Sequence, residues 1–420
     1  MDLNLLTAVI RERQDVISQI SIIERNYDFE ENLNYVLVGL RRAGKSFLMY
    51  KRAQELVQQG ISWKQIIYLN FEDERLADFK LTDFNDILIA ANTITTEKHY
   101  FFFDEIQNVD GWERFARRLA DQNERVFITG SNSKTLGQDI ISRLGGRYMI
   151  KYVSPFSFKE YLRAKNLEFD QIALLNSKNR GEIESALSDY LRYGGLPETL
   201  NIIDKRDYLN NIYQNVFLSD IIVRNRIRNP EGLALLMKKL SEAVMRDISY
   251  TNLHHTIRSV INDFSKGSVI DYLRYSKEAY LLFGLKNYYA KFVQRESNSK
   301  YYFVDNGILN LFYLDHQSAL LENLVAIYLH NKYQDNVYYL KSEKTGIDID
   351  FFVPDDDMAI QVAWTINGSA YEREVSNLVN FVKKENSAKK LVIVTRAEEK
   401  EITVEDVKIS IVPLAKFLLG

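Results

Sequence analysis

The sequence predicts an α/β protein: a parallel sheet layered with helices at the front, a helical stretch in the middle, and a smaller mixed α/β portion at the end. Three observations carry this. Short apolar runs alternate with amphipathic helical patterns through the first third, the pattern of βαβ units around a parallel sheet. From Ser154 to Ile227 the pattern turns helical. Beyond Asn229-Pro230-Glu231-Gly232, a turn-initiating run, helices give way to mixed strands and helices.

Taken in order, the front strands are expected at Tyr35–Val38, Gln65–Asn70, Tyr100–Asp104, Val126–Thr129 and Tyr148–Val153. Between them lie helical patterns such as Ser46–Gln58 and Trp112–Asp121, the latter with Phe115, Ala116 and Leu119 on one face. In the middle stretch Phe158–Leu162 and Tyr190–Tyr193 are the clearest helical pieces, and Gly194-Gly195-Leu196-Pro197 breaks the helices sharply. Helices are then expected at Leu233–Met245, Asn252–Phe264 and Ser268–Leu282. A hairpin follows, Leu285–Gln294 with Lys300–Val304, turned by Glu296-Ser297-Asn298-Ser299. Three helices and then a hairpin is the order of a winged helix-turn-helix. The end portion reads as a helix at Leu321–Lys332, strands near Val337–Leu340, Ile347–Val353 and Ala359–Ala363, a helix around Tyr371–Lys384 and a strand at Lys390–Thr395. The expected divisions are therefore 1–153, 154–228, 229–310 and 311–420.

Composition narrows the chemistry. The chain has 420 residues, 46% hydrophobic and 26% charged, enough apolar material for sizeable cores. A net charge of −3 gives no whole-chain basic field, so nucleic-acid binding would need a local patch. There is no cysteine, which excludes disulfides, thiolate zinc sites and thiol catalysis, and the five histidines show no metal-ligand spacing. Charges interrupt the N-terminal run MDLNLLTAVIRERQDVISQI, and no stretch approaches the length of a membrane span. The expectation is a cytoplasmic protein with no membrane partner.

Gly39-Leu40-Arg41-Arg42-Ala43-Gly44-Lys45-Ser46 fits G-x-x-x-x-G-K-[ST] between a strand and a helix, the context a phosphate-binding P-loop requires. Glycines let backbone N–H groups curl around phosphate oxygens, and the helix N-terminus adds its positive dipole end. The candidate nucleotide-binding set is Gly39, Arg42, Ala43, Gly44, Lys45, Ser46 and Phe47, with Lys45 on the β- and γ-phosphates and the Ser46 hydroxyl on Mg²⁺. The run Tyr100-Phe101-Phe102-Phe103-Asp104-Glu105 supplies the second half: Asp104 for the metal, Glu105 to orient and polarise the attacking water. ATP and Mg²⁺ are the cofactors expected. In Val126–Ser133 a strand ends in small polar residues, and either Ser131 or Asn132 can stand near the γ-phosphate. Ser142-Arg143-Leu144-Gly145-Gly146-Arg147 offers two arginines, one of which, supplied from a neighbouring copy, would make turnover depend on a homo-oligomer.

Together GLRRAGKS, YLNFEDERL, FFFDEIQNV, ITGSNS and SRLGGR resemble a prokaryotic AAA+ superfamily ATPase, while YLRYGGLPE, YFVDNGI and ENLV…IDIDFFV…IQV resemble the C-terminal domain of unknown function joined to it. The resemblance covers nearly the whole chain. It implies a P-loop ATPase module, a winged-helix middle and a restriction-endonuclease-like end similar to the PD-(D/E)XK nucleases. It also matches Arg147, rather than Arg143, to the family's arginine turn, with Glu105 and Arg147 as the catalytic pair.

The end portion departs from a working nuclease. Such sites need an acid on a helix, an acid on one strand and acid-x-Lys on the next. Glu322 and Asp350 fit the first two places, but Gln361 stands where the third acid belongs and Ala363 where the lysine belongs. Nuclease activity is accordingly not expected. In the winged-helix portion the third helix carries both Asp271 and Arg274, and the wing carries Lys291, Arg295 and Lys300, so DNA stays open as a partner. The sequence thus leads to an Mg²⁺-dependent ATP-binding protein, an ATPase whose nucleotide state rearranges the C-terminal portions. Its rival is a nucleotide-gated DNA- or protein-binding regulator with negligible hydrolysis.

Overall fold

The computed structural model describes residues 1–130, 143–170, 173, 176–313, 316–385 and 390–420. Contacts divide the chain into two units, Met1–Ser154 with Glu278–Tyr280, and Pro155–Lys277 with Leu281–Gly420.

The first unit is built on five parallel strands, β1 (Asn34–Val38), β2 (Ile66–Asn70), β3 (Tyr100–Asp104), β4 (Arg125–Gly130) and β5 (Tyr148–Tyr152), in the order β2-β3-β4-β1-β5. Side chains alternate across the sheet, so each strand feeds two cores. Val36, Val38, Ile67, Leu69, Phe101, Phe103, Val126 and Ile128 pack on one face with Phe84, Ile87, Phe115 and Leu119 from the helices Phe84–Ile94 and Trp112–Asp121. Tyr35, Leu37, Ile66, Tyr68, Phe102 and Phe127 pack on the other with Leu48, Met49 and Ala53 of the helix Lys45–Gln58. Burial on both faces explains why these strands read as continuous apolar runs. This is the P-loop NTPase arrangement that the sequence predicts.

The N-terminal segment Leu3–Gln19 is a helix. Asp2 caps it by accepting from the Asn4 N–H, and Leu6, Val9, Ile10 and Ile17 are buried at helical spacing. Gln14, on that buried stripe, donates to the Ile66 carbonyl at 2.8 Å.

The second unit begins helical, with Phe158–Ala164, Ser177–Tyr193 and Lys205–Asn215, the last running on as a π-helical stretch over Val216–Val223. Asn229 caps Pro230–Glu242 through the Gly232 N–H. Next come β6 (Asp247–Ser249), helices Tyr250–Arg258 and Lys266–Glu278, and β7 (Leu282–Asn287) with β8 (Asn298–Phe303). The chain then forms the helix Gln317–Tyr333, β9 (Tyr338–Ser342), β10 (Ile347–Val353), β11 (Met358–Val362), the helix Ser369–Glu385, β12 (Lys390–Thr395), β13 (Lys400–Val404) and β14 (Val407–Pro413). All nine strands share one mixed sheet, ordered β13-β14-β12-β11-β10-β9-β7-β8-β6.

Two features differ from expectation. The hairpin expected over Leu285–Gln294 and Lys300–Val304 is shifted: its first strand is β7, and Phe292–Ser297 is a short helix between the strands. Phe292 and Val293 suggested a strand by their type, yet they are 77% and 76% exposed, while Ser299 from the expected turn is buried in β8 opposite Lys286 and Ile248. The sheet also runs across the 310/311 division, because β7 pairs with β9 in parallel. None of the described helices is long and apolar enough to cross a membrane.

Candidate functional site

The phosphate loop follows β1 directly. Val153 N–H donates to the Val38 carbonyl at 2.7 Å, drawing the end of β5 against the loop's first residue. A Cβ on Gly39 would meet the Val153 carbonyl oxygen at 2.2 Å, so only glycine fits there. The loop turns through Arg42 (φ 65°) and Gly44 (φ 95°), both left-handed, before the helix begins at Lys45. Ala43 is fully buried, and Phe47 is exposed on the helix's first turn with its ring against Tyr50.

Arg25, which no motif marks, braces the loop. It is 3% exposed and donates to the Ala43 carbonyl at 2.9 Å and the Ser154 carbonyl at 2.8 Å. A buried guanidinium between two carbonyls fixes the distance from the loop to the end of β5. Arg25→Met is expected to cost on the order of 3 kcal/mol of stability, read from the urea midpoint, because two hydrogen bonds to a charged donor are lost.

Lys45 is buried, its ammonium donating to the Gly39 and Leu40 carbonyls at 3.1 Å each. The Ser46 hydroxyl lies close enough to the Asp104 carboxyl to draw it down, so the loop and the end of β3 meet at these two residues. Asp104 is 3% exposed. Its Oδ2 accepts from the Tyr68 hydroxyl at 2.7 Å, and its Oδ1 accepts from the Thr129 hydroxyl. Burial and the neighbouring Glu105 push the Asp104 carboxyl up, against the hydroxyl donors Thr129, Tyr68 and Ser46. The Tyr68 ring packs against Tyr50, and its hydroxyl is pushed well up by its own burial beside that carboxylate.

Glu105 sits in the left-handed region at φ 50°, a conformation that costs a residue with a Cβ about 1–3 kcal/mol and is held by its surroundings. Its N–H donates to the Thr129 hydroxyl at 3.1 Å, and its carboxylate accepts from the Gln107 amide. Glu72, following β2, is raised by desolvation and by the nearby Glu105, while Arg41 and Arg42 draw it down. Thr129 thus bridges both acids. It can do so because β4 lies between β1 and β3, with Leu37 opposite Thr129 and Phe103 opposite Ile128.

The structure therefore brings Gly39, Lys45, Ser46, Asp104 and Glu105 together. It does not bring Arg147 to them. Arg147 precedes β5 at the edge where Tyr148 pairs with Asn34, the start of β1, and donates to Asp121 at 2.5 Å. The five residues of β1 separate it from the loop by about 16 Å of strand. Arg143 bonds Glu113 at 2.8 Å and lines a cleft of about 360 Å³ with Gln107, Trp112 and Arg117. Ser131 and Asn132 lie outside the described residues. In the second unit, Glu322 and Asp350 do approach each other through Lys300, whereas Gln361 is tied to the backbone of β10 and Ala363 offers no functional group.

Residues 31–162 match the model of the AAA domain family, and residues 184–337 match a domain of unknown function, DUF8612. The first unit thus carries an AAA-type P-loop domain, a nucleotide-binding ATPase module. Over 430 aligned positions the chain is 30% identical to an uncharacterized protein of Methanocaldococcus jannaschii, spanning 99% of this chain and 95% of that one. It is 31% identical to an uncharacterized protein of Haemophilus influenzae over 87% of this chain and 90% of that one. The chain belongs to the family of these two proteins. Among solved structures it is similar to the Aeropyrum pernix Orc1 protein in complex with DNA, at 12% identity and a TM-score of 0.29, over 76% of this chain and 93% of that one.

Proposed function

We propose that this protein is an Mg²⁺-dependent ATPase whose nucleotide state drives a conformational change in its C-terminal portions. The observation that carries the reading is the placement of Asp104, buried at the end of β3 and held by Tyr68 and Thr129, near the Ser46 hydroxyl that opens the helix after the phosphate loop. These two side chains are the ones a nucleotide-bound magnesium ion would use, and a buried carboxylate raised by desolvation fits a cation's place. When bound, the metal would neutralise charge on the β- and γ-phosphates. The loop backbone from Gly39 to Ser46 cradles the phosphates, Lys45 exchanges its carbonyl partners for phosphate oxygens, and Asp104 holds its place through Tyr68 and Thr129. Glu105 orients the water, taking up its proton as it attacks.

Arg147 completes the site of a neighbouring copy in this reading, since its own loop lies at the far end of the strand. The expected result is phosphate release from Mg-ATP whose specific activity rises with protein concentration. Arg147→Ala should lower that activity at least tenfold at every concentration, while equilibrium binding of ATP by the single chain is unchanged. Activity independent of concentration and untouched by Arg147→Ala would confine the chemistry to one chain.

One observation favours the rival reading, a nucleotide-gated regulator that hydrolyses little: the Gln107 amide occupies the Glu105 carboxylate. In that case wild type binds ATP but releases no more phosphate than Glu105→Gln, with or without DNA. We read residues 1–153 as the ATPase portion, 154–228 as a helical connector, 229–310 as a winged helix and 311–420 as a nuclease-like fold without its catalytic set. The winged-helix assignment is supported by the order helix, β6, two helices, β7, β8, with β8 pairing both β7 and β6. DNA or protein contact through that portion is the output either reading requires.

A further inference from the structure

The second unit holds a buried charge that the nucleotide site does not use. Lys300, on β8, is 3% exposed. Its ammonium lies 3.0 Å from Asp350 Oδ1 on β10 and 3.6 Å from Glu322 Oε1 on the helix Gln317–Tyr333. Each acid also accepts a further bond from the protein: Glu322 Oε1 from the Tyr302 hydroxyl at 2.8 Å, and Asp350 Oδ2 from the Val362 N–H at 3.1 Å.

These are the two acids that fit the first places of a nuclease-like metal set, and the rest of that set does not fit a metal. Gln361 is engaged on the neighbouring strand, its carbonyl accepting from Asp350 N–H at 2.8 Å and its amide donating to the Asp348 carbonyl at 2.9 Å. Glu374, on the helix Ser369–Glu385, lies close enough to feel Asp350 but is bonded to Arg373. Among the described residues no group of three or more His, Cys, Asp or Glu side chains is placed to hold a metal ion. A divalent cation needs several oxygen ligands at about 2.0–2.6 Å and cannot share the gap with an ammonium. Two carboxylates facing one ammonium repel each other, and the cation between them offsets that repulsion. Burial and Asp350 push Glu322 up, and Lys300 opposes them.

We infer that Lys300 is a built-in cation: its ammonium takes the place between Glu322 and Asp350 that a divalent metal would need, which makes this acid pair an internal ion lock without metal-dependent chemistry. Lys300 enters from a strand outside the acid motif, before Glu322 in the chain, so the fold rather than the motif delivers the charge.

The test is Mn²⁺ binding by the full-length chain without nucleotide, followed by the electron paramagnetic resonance of free Mn²⁺. Wild type and Asp350→Asn should retain Mn²⁺ equally, with no site that depends on Asp350. Lys300→Met, which leaves the two acids with no cation between them, should unfold at a lower urea concentration than wild type, and Lys300→Met/Glu322→Gln should regain part of that loss. A wild-type Mn²⁺ site that Asp350→Asn abolishes would overturn the inference, as would a Lys300→Met protein as stable as wild type. Should Lys300→Met fail to fold, Lys300→Met/Glu322→Gln decides. Recovery of the fold when both the amine and one opposing charge are gone supports a charge-balancing lysine, and continued failure overturns it.

Discussion

Glu105→Gln is expected to reduce phosphate release from Mg-ATP by two to four orders of magnitude while leaving nucleotide affinity intact. A positioned general base contributes about 10²–10⁴-fold, or roughly 3–5 kcal/mol of barrier at 1.36 kcal/mol per tenfold. Glutamine has the same shape and the same left-handed backbone to satisfy at φ 50°, so the fold around it should not move. It can position a water but cannot take its proton. Binding rests elsewhere, on the loop backbone and Lys45. The substitution also removes the negative charge that helps push the Asp104 carboxyl up. Asp104 then ionises more readily, so affinity for Mg-nucleotide should hold or rise. Single-turnover phosphate release beside equilibrium binding of labelled ATP separates these effects. Parallel loss of binding and turnover would mean that Glu105 supports the loop rather than the chemistry.

The parts of this site that were legible in the sequence are those built from consecutive residues. A phosphate cradle is a run of neighbouring backbone N–H groups, so Gly39 to Ser46 carries its own geometry. An apolar strand ending in Asp104-Glu105 likewise announces a sheet edge with two acids. What stayed hidden depends on strand order, which no periodicity encodes. Thr129 reaches Asp104 because β4 inserts between β1 and β3, and Arg25 reaches Ser154 across 129 positions of sequence. Tyr68 read as one more aromatic in a buried strand, with no sign that its hydroxyl meets a carboxylate. Phe292 and Val293 misled in the opposite sense, since residue type alone cannot tell an exposed apolar pair from a strand's buried face. Lys300 looked like a wing cation for phosphate and is instead enclosed within the sheet.

The second large effect is expected at Asp305, in the YFVDNGI segment that resemblance singled out without a role. Asp305 is 2% exposed, and its carboxylate is wrapped in backbone donors. Oδ1 accepts from Gly307 N–H at 2.8 Å and Ile308 N–H at 3.3 Å, and Oδ2 from Gly195 N–H at 2.8 Å. The same carboxylate excludes any side chain at Gly194, where a Cβ would stand 2.1 Å from Oδ1. Next to it, Asn306 donates to the Leu191 and Leu320 carbonyls at 2.9 Å each, so one short turn ties three helices of the second unit together. In Asp305→Asn an NH₂ must face backbone donors on one side, leaving them unpaired at about 1–3 kcal/mol apiece. A loss of roughly 2–5 kcal/mol is expected, read from urea unfolding with hydrogen exchange of residues 194–196 and 305–308.

The pH dependence gives this prediction a sign. Burial raises the carboxyl from 3.8 to about 6 despite the donors around it. A raised group contributes stability that is present below the unfolded value and is lost as pH climbs through the folded one. Wild type should therefore give up on the order of 3 kcal/mol between about pH 4 and pH 7 through this group, two pKa units at 1.36 kcal/mol each. Asparagine does not titrate, so the deficit of Asp305→Asn should be largest near pH 4 and shrink toward pH 8. A deficit that grows with pH would mean that the backbone N–H donors outweigh desolvation and that the ionised carboxylate is the form the fold favours.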